Sequence, residues 1–239
     1  MFIDSSSASS ASPKSGRYGD LRPPQIDAIR EQTPIAFVPW GALEWHCLHA
    51  PIGLDSTKAE GICLAIAEET GGVVLPAIPL GVNTIKPFKG FAHSIDTSAD
   101  LAARVAEEIC IQLADESFKV VILFTGHYPP EQIDALEEGA RRARKMAKGT
   151  RFLVWADNQF LGDQYVGDHA GATETSFQMF FDPKSIVLDS LPDRPLTLDG
   201  DGVMGDDPRE ASVERGELQL KVVLQNAVPK VKALLEEIK

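Results

Sequence analysis

Cysteine is scarce in this chain, and long hydrophobic runs are missing. The three cysteines, Cys47, Cys63 and Cys110, are too few and too widely spaced for a disulfide framework, and their odd number predicts reduced thiols in a cytoplasmic protein. No window holds the ~18 consecutive apolar residues of a membrane span. The first residues include Asp4 and no apolar run, which is not typical of a signal peptide.

Positive charge is also in short supply. The chain has 23 lysines and arginines against 35 aspartates and glutamates, which gives a formal net charge of −12. Nucleic acids and anionic membrane surfaces are bound by basic patches, so this balance argues against both as the main partner. With 239 residues, 44% of them hydrophobic, the chain has enough apolar material for one sizeable core.

The composition divides the chain into two parts. Residues 1–19 are rich in serine and alanine and show no hydrophobic periodicity, which predicts a disordered arm. Residues 20–239 are expected to form a single domain, because neither an internal repeat nor a linker interrupts them. Function is therefore sought in residues 20–239.

Short apolar runs alternate with helical patterns along this domain. Strands are predicted at residues 35–39, 73–78, 119–124 and 151–155. Helices are predicted from a capping box at Thr57, from Ser98, from Pro129 to about Lys148, and from Val213 onward with an interruption or bend at Pro229. The alternation implies parallel strands joined by right-handed crossovers, which is an α/β sandwich with a mainly parallel central sheet.

All five histidines lie in loops or at strand ends, between the apolar runs. Glu44, His46 and His49 follow the first of these strands, and His127 directly follows the strand at 119–124. Ligands of open parallel sheets bind beyond the carboxyl ends of the strands. We therefore expect both groups of side chains at the same edge of the sheet.

The first of these loops has the residue types of a metal site. Glu44 and His46 lie two residues apart on an extended segment and point the same way. Asp55 follows at a helix start, where its carboxylate can bridge two ions. Carboxylate and imidazole suit Zn²⁺ or Mn²⁺. The alternative is that Asp55 is a helix cap and Glu44 a surface charge.

Two further segments carry the same chemistry. Gly126 allows the chain to turn off its strand so that His127 faces the edge of the sheet, although His127 could instead cap the sheet end. His169 and Glu174 flank a turn of small residues that enters a short helix. Glu174 could also simply favour the positive end of that helix.

Four segments, in order, resemble the creatininase (creatinine amidohydrolase) family. Residues 44–51, EWHCLHAP, followed by Asp55, resemble the family's E-x-H-G-x-H-L-P…D signature. Residues 125–127, TGH, resemble its N-G-H element, and residues 168–176, DHAGATETS, resemble H-[AG]-G-x-x-E-T-S. Residues 202–217 resemble a late G-D-P…A-[ST]-x-E-[KR]-G segment. Order and spacing agree from about residue 30 to the C-terminus.

The resemblance implies a three-layer α/β fold, two divalent metal ions per subunit and a hexamer. Zn²⁺ and Mn²⁺ are expected, and Fe²⁺ also suits the ligand set. The metal ligands carried over by position are Glu44, His46, Asp55, His127 and Glu174, with Asp55 bridging. His169 is expected to be the general acid/base, with Asp168 as a neighbour that could orient it, and Glu174 also belongs to the catalytic group.

This chain departs from the family pattern at several positions. Pro129 stands where creatininase itself has a glutamate, which leaves Glu131 as a rival to Glu174 and argues that creatinine is not the substrate. Cys47 replaces a common glycine, and the sequence leaves open whether it or His49 touches metal. Trp45 stands where glutamine is frequent. Gly205-Asp206 is expected near the site or at a subunit contact. His93 is expected either at the mouth of the site or as a solvated loop residue.

The resulting functional hypothesis is a metal-dependent amidohydrolase for a small molecule. It would cleave a non-peptide C–N bond in a small cyclic amide or formamide by attack of a metal-bridging hydroxide. Trp155 and Tyr165 are candidate walls for a planar substrate. The alternatives are a related hydrolase of another bond, either a ring-ketone C–C hydrolase or a peptide-trimming enzyme, and a non-catalytic metal-binding scaffold.

Overall fold

The computed structural model describes residues 13–162, 165 and 167–238. Within these residues, strands and helices alternate along the chain. The strands are β1 Ser15–Arg17, β2 Ile35–Trp40, β3 Gly72–Val74, β4 Val120–Thr125 and β5 Arg151–Ala156. The helices are α1 Pro23–Gln32, α2 Leu54–Thr70, α3 Ile85–Lys89, α4 Ala99–Asp115, α5 Pro130–Met146, α6 Ala172–Phe181, α7 Leu198–Asp201 and α8 Val213–Glu237.

The strands form one sheet in the order β1-β3-β2-β4-β5, and every pairing is parallel. The central pair, β2 and β4, runs in register from Ile35 opposite Val120 to Trp40 opposite Thr125. All residues of these two strands are buried, because helices cover both faces. The loops that follow β2 and β4 therefore leave the sheet side by side.

Two apolar cores separate the sheet from its two helical layers. On one face, alternate strand residues such as Val38 and Leu123 pack against α1, α4 and α5. On the other face, Phe37 and Phe124 belong to the core formed with α2, α6 and α8. The predicted three-layer α/β fold with a parallel central sheet is confirmed.

The ends of some elements differ from the prediction. The predicted capping box at Thr57 is wrong: α2 already begins at Leu54, and the Thr57 hydroxyl donates back to the main-chain oxygen of Gly53 at 3.3 Å. Asp55 consequently lies in the first turn of α2. The third strand ends at Val74 rather than at residue 78, since Pro76 lacks the N–H that would continue the ladder.

The last helix is not interrupted at Pro229, and three residues of the predicted N-terminal arm form a strand. Helix α8 continues through Pro229 without interruption, because buried residues on either side of it, including Val223 and Val231, pack on the apolar core. Residues 1–12 of the predicted disordered arm lie outside the described residues, whereas Ser15–Arg17 pair with β3 as an edge strand. None of the helices within the described residues is both long and apolar enough to cross a membrane.

Candidate metal centre

Five acidic and imidazole side chains converge at the carboxyl ends of β2 and β4. Glu44 and His46 come from the loop after β2, and His127 lies two residues beyond the last residue of β4. Asp55 lies in the first turn of α2 and Glu174 in the first turn of α6. All five residues are buried. The structure thus brings together every residue that the sequence predicts as a metal ligand.

Gly126 permits the close approach of β4 to α2. A Cβ atom at this position would lie 2.4 Å from the main-chain oxygen of Asp55, a distance that forces one of the two segments to move. The need for glycine here comes from this contact and not from a left-handed backbone.

Replacing Gly126 by alanine should therefore destabilise the protein and displace Asp55. Forcing an extra methyl group into a packed site costs about 1–3 kcal/mol of the free energy of unfolding. Thermal melts of Gly126→Ala and Gly149→Ala provide the comparison, because a Cβ at Gly149 would meet nothing within 4 Å. Equal melting temperatures for the two variants would contradict the prediction.

The five residues form two ligand sets that share Asp55. In the first set, His127 Nδ1 lies 2.7 Å from Glu44 Oε1 and 3.6 Å from Asp55 Oδ2. In the second set, His46 Nε2 lies 3.5 Å from Asp55 Oδ1 and 3.6 Å from Glu174 Oε2. Within each set the ligand atoms all lie within 4.8 Å of one another.

These separations fit divalent cations better than they fit direct hydrogen bonds. Two ligand atoms bound at ~2.1 Å to one tetrahedral ion lie about 3.4 Å apart, close to three of the four distances. His46 Nε2 and Asp55 Oδ2 are buried and have no hydrogen-bond partner, which is costly unless another group completes the site. The residues present therefore fit a metal centre.

Main-chain carbonyls orient the two imidazoles of these sets. His46 Nδ1 donates to the oxygen of Glu44 at 3.1 Å, and His127 Nε2 donates to the oxygen of Val82 at 3.0 Å. In each ring the other nitrogen faces the carboxylates. A carbonyl behind a histidine is the usual way in which a metal-binding imidazole is held in position.

Without a cation, protons balance the charge of these carboxylates. Burial lowers the pKa of both histidines, but Asp55 beside His46 and Glu44 beside His127 outweigh it and raise each pKa to about 9. For Glu44, burial raises the pKa, and the charge of His127 more than reverses this and holds the pKa well below its ordinary value. Burial raises the pKa of Asp55.

Metal binding near pH 7 should therefore release about two protons, one from each histidine, because only the neutral imidazole coordinates a metal. Since both pKa values are raised to about 9, the metal affinity should fall as the pH decreases below that value. Calorimetric titration in two buffers of different ionisation enthalpy counts the protons. A proton count near zero at pH 7 would be incompatible with this assignment. The internal control is the same titration above pH 9.5, where fewer protons should be released because both imidazoles are already largely neutral.

His169 lies beside the two sets and faces the same space. Its Nε2 donates to the main-chain oxygen of Trp45 at 2.9 Å, and its ring centroid lies 4.7 Å from that of His46. Burial and the charge of His46 lower its pKa. Asp168 does not orient this ring, contrary to expectation. Its carboxylate instead accepts main-chain N–H groups at the start of α6, those of Gly171, Thr173 and Glu174.

Comparison with known proteins identifies the family from the sequence, and the fold from solved structures. The family model described as creatinine amidohydrolase matches residues 19–231. The chain belongs to the creatininase family. A creatinine amidohydrolase from Pseudomonas putida is 25% identical over 224 residues, which cover 80% of this chain and 86% of the relative.

Solved creatininases share the fold at low sequence identity. A creatinine amidohydrolase (creatininase) crystal structure has a TM-score of 0.80 at 21% identity, with 91% of this chain and 97% of that chain covered. A manganese form of creatininase has a TM-score of 0.78 at 23% identity and covers 91% and 98%. A mutant creatininase of Zn–Zn type has a TM-score of 0.77 at 22% identity and covers 94% and 99%.

Lys58 is the functional-site residue that the sequence interpretation missed. Its ammonium lies 2.6 Å from Glu174 Oε1, 3.0 Å from Asp157 Oδ2 and 3.8 Å from Asp55 Oδ1, and the residue is only 1% exposed. Burial lowers the pKa of Lys58, but Asp157 and Glu174 outweigh it and raise the pKa well above the ordinary value. Helical spacing offered one signal, because position 58 lies four residues from both Leu54 and Ile62 on the buried face of α2.

The sequence left three other residues open as possible metal ligands, and all three lie outside both ligand sets of this creatininase-family chain. Glu131 is exposed and accepts a hydrogen bond from Asn83 at 3.0 Å. His49 Nε2 lies 2.8 Å from the hydroxyl of Thr175, and burial lowers the pKa of His49 to about 4. Cys47 packs in a small apolar cluster with other buried side chains. Glu174, rather than Glu131, therefore lies with the other predicted ligands.

Trp155 and His93, two candidates for contact with a substrate, do not line the cavity that opens above the metal-ligand residues. Trp155 packs in the core, with its ring centroid 5.1 Å from that of Phe160, and does not line the cavity. His93 is exposed, and its ring lies 6.3 Å from that of Trp45. Tyr165 shares a short hydrogen bond with Tyr128, which does line the cavity.

A cavity of about 290 Å³ opens above the metal-ligand residues. Its walls are mainly apolar, formed by Ile85, Phe88, Leu198 and Met204, and no lysine or arginine side chain lines it among the described residues. Met204 adjoins Gly205-Asp206, which places that loop near the site.

Proposed function

We propose that this protein is a metal-dependent amidohydrolase that cleaves a non-peptide C–N bond in a small cyclic amide or formamide. The proposal depends on the pair of ligand sets that share Asp55, because four of their five residues line one open cavity: Glu44, Asp55, His127 and Glu174. Membership of the creatininase family and the name of the Pseudomonas putida relative, a creatinine amidohydrolase, support a hydrolase acting on C–N bonds.

Two divalent ions would be held by the two sets. Glu44, Asp55 and His127 would bind one ion, and His46, Asp55 and Glu174 the other, so that Asp55 bridges. Nitrogen and oxygen ligands of this kind suit Zn²⁺ and Mn²⁺, the metals of two of the similar solved structures. When bound, such a pair lowers the pKa of a water molecule and polarises a carbonyl group.

His169 is the residue best placed to move protons. Its Nε2–H is held by the oxygen of Trp45, so Nδ1 carries the lone pair. Its lowered pKa keeps it neutral near pH 7, as a general base requires. It would accept a proton from the attacking water and deliver that proton to the leaving nitrogen. Glu174 would hold its metal and the adjacent Lys58 in position.

The cavity favours a small, uncharged substrate. Its volume is at the lower end of ligand sites, which suits a ring or a formyl compound better than a peptide chain. Among the described residues, its walls carry no lysine or arginine side chain that could pair with a carboxylate. Asn83 and Tyr128 are the neutral polar residues among those that line it. We also propose that the protein is cytoplasmic and forms a homo-oligomer, a hexamer by family resemblance.

Elemental analysis of the purified protein is the first test. About two equivalents of transition metal per chain are expected, one for each ligand set. Cyclic amides, formamides and ring ketones should then be screened with the loaded protein, because release of ammonia or an amine distinguishes amide cleavage from C–C cleavage. Near-zero metal that added Zn²⁺ or Mn²⁺ cannot restore would refute the hydrolase and leave the scaffold alternative.

A further inference from the structure

We propose that the substrate carries an apolar group, of the size of a phenyl ring, on the nitrogen of the scissile bond, and that Phe88 and Met204 enclose this group. The inference rests on the proposed amidohydrolase and names the substrate class of the same site. Hydrolysis would add water to the carbonyl carbon and break the C–N bond, while the proton held by His169 passes to the nitrogen. The products would be a carboxylate and an amine that keeps the apolar group.

The apolar walls of the cavity come from two short segments of the chain. Ile85 and Phe88 lie three positions apart on α3, so that both side chains are on one face of the helix. Leu198 begins α7, and Met204 follows shortly after the end of that helix. The same cavity is lined by four of the five predicted metal ligands. A ligand bound there would therefore contact polar and apolar residues together.

Helix α3 leads away from the ligand residues. The main-chain N–H of Ile85, its first residue, donates to Oε2 of Glu44 at 2.7 Å. Phe88 lies about 4.5 Å further along the helix axis, at ~1.5 Å per residue. Ile85 is 5% exposed, whereas Phe88 is 59% exposed. A compound whose reacting bond lies at Glu44 would thus meet Phe88 with the part that extends beyond this bond.

An ion pair joins the two apolar walls outside the cavity. Lys89, at the end of α3, lies with its ammonium 2.7 Å from Oδ1 of Asp199 on α7. Neither of these residues lines the cavity. The pair therefore connects the walls without presenting a charge to a bound compound, and the two segments offer their apolar side chains to it.

Phe88 and Met204 leave apolar surface uncovered at the cavity. Met204 is 45% exposed, so both side chains contact water although they line the same space as the buried ligand residues. Covering apolar surface of this kind is favourable in proportion to the area removed from water. A compound with an apolar group at this position gains that free energy, whereas a small polar compound does not.

The pairing of Met204 with His169 assigns the apolar group to the nitrogen side of the bond. The main-chain N–H of His169 donates to the oxygen of Met204 at 3.0 Å, and the N–H of Met204 donates back to the oxygen of His169 at 2.9 Å. Met204 is thereby held beside the residue that would protonate the leaving nitrogen. The substituent on that nitrogen is the part of the substrate that meets this wall.

Binding of four small chelators to the Zn²⁺-loaded full-length protein tests the proposal. N-hydroxy-N-methylformamide and N-benzyl-N-hydroxyformamide carry the variable group on nitrogen. Their isomers, acetohydroxamate and phenylacetohydroxamate, carry it on the carbonyl carbon. All four bind metal ions through the same pair of oxygen atoms, so the effect of the added ring reports on the walls of the cavity. Isothermal titration calorimetry gives the dissociation constants.

The variants to compare with the wild type are Phe88→Ala, Met204→Ala and Met146→Ala. Met146 is the matched control for Met204, because it is 73% exposed at the end of α5 and does not line the cavity. All three side chains are exposed, so their truncation should leave the fold intact, and thermal melts check this.

The N-benzyl compound should bind the wild type and Met146→Ala at least ~10-fold more tightly than the N-methyl compound, because its ring covers apolar surface. Phe88→Ala and Met204→Ala should each reduce this ratio to about threefold or less. Both should leave the affinity for the N-methyl compound within about twofold. Phenylacetohydroxamate should bind less than about threefold more tightly than acetohydroxamate, since its ring extends from the carbonyl side.

Three outcomes would overturn the inference while leaving the proposed function in place. Equal affinities of the wild type for the N-methyl and N-benzyl compounds would show that the site gains nothing from an apolar group. A ratio that survives in both Phe88→Ala and Met204→Ala would show that the ring does not contact these walls. A larger gain for phenylacetohydroxamate would assign the group to the carbonyl side. Failure of all four chelators to bind would instead refute the metal centre, and with it both the proposed function and this inference.

Discussion

The Asp55→Asn variant is expected to lose both metal ions and to lower kcat/KM on the order of 10³-fold. Asp55 is the one residue that belongs to both ligand sets, with Oδ1 toward His46 and Oδ2 toward His127. An amide offers one neutral oxygen in place of two charged ones, so neither ion keeps its shared ligand. Elemental analysis should show less than about half an equivalent of metal per chain.

Glu131→Gln is the control for Asp55→Asn. Glu131 is the acidic residue that sequence reasoning left as a rival ligand, but it is exposed and bonded to Asn83, so its variant should keep both ions and full activity. A thermal melt of metal-free Asp55→Asn, compared with the metal-free wild type, shows whether the variant still folds. Two retained equivalents of metal in Asp55→Asn would refute the bridging role.

The His169→Gln variant is expected to keep its metal and to lose ~10²–10⁴-fold in kcat, the range over which general acid–base groups act. The glutamine amide can still donate to the oxygen of Trp45, as His169 Nε2 does at 2.9 Å, but it cannot shuttle a proton. Metal content and steady-state kinetics on the same preparation separate the two effects.

His49→Gln is the matched control for His169→Gln. His49 is also buried close to the site, but its imidazole bonds to Thr175 and lies outside both ligand sets. Its variant should change kcat little. Loss of metal from His169→Gln would show that His169 is itself a ligand, which the proximity of Glu44, His46 and His169 allows geometrically. That result would contradict the acid–base role.

The placement of Glu44, His46 and His127 was predictable because it follows from topology, whereas Asp55 and Glu174 were assigned as ligands by the resemblance to the family. Once the apolar runs before Glu44 and His127 are interpreted as neighbouring parallel strands, their loops must leave the same edge of the sheet. The structure pairs these strands over six positions and places both loops together. Residue type then suggests metal binding, because buried acidic and imidazole side chains are either paired with each other or bound to a metal ion.

Other features depend on contacts that no local pattern encodes. The ion pair between Lys58 and Glu174 joins residues 116 positions apart, where α2 meets α6. The motif around Asp168 suggested a partner for His169, but that carboxylate is taken up by the N–H groups of its own helix start. The start of α2 was misplaced because the pattern at Thr57 looks like a cap, whereas the helix already begins three residues earlier.

The loop after β2 orients two of the site's imidazoles through its main chain. Glu44 and Trp45 present their carbonyl oxygens to His46 and His169. A carbonyl stays in place whatever side chain its residue carries, whereas the indole of Trp45 stacks on Phe91 and donates to the main-chain oxygen of Asp201. Position 45 can therefore change its side chain while His169 keeps the carbonyl that orients it.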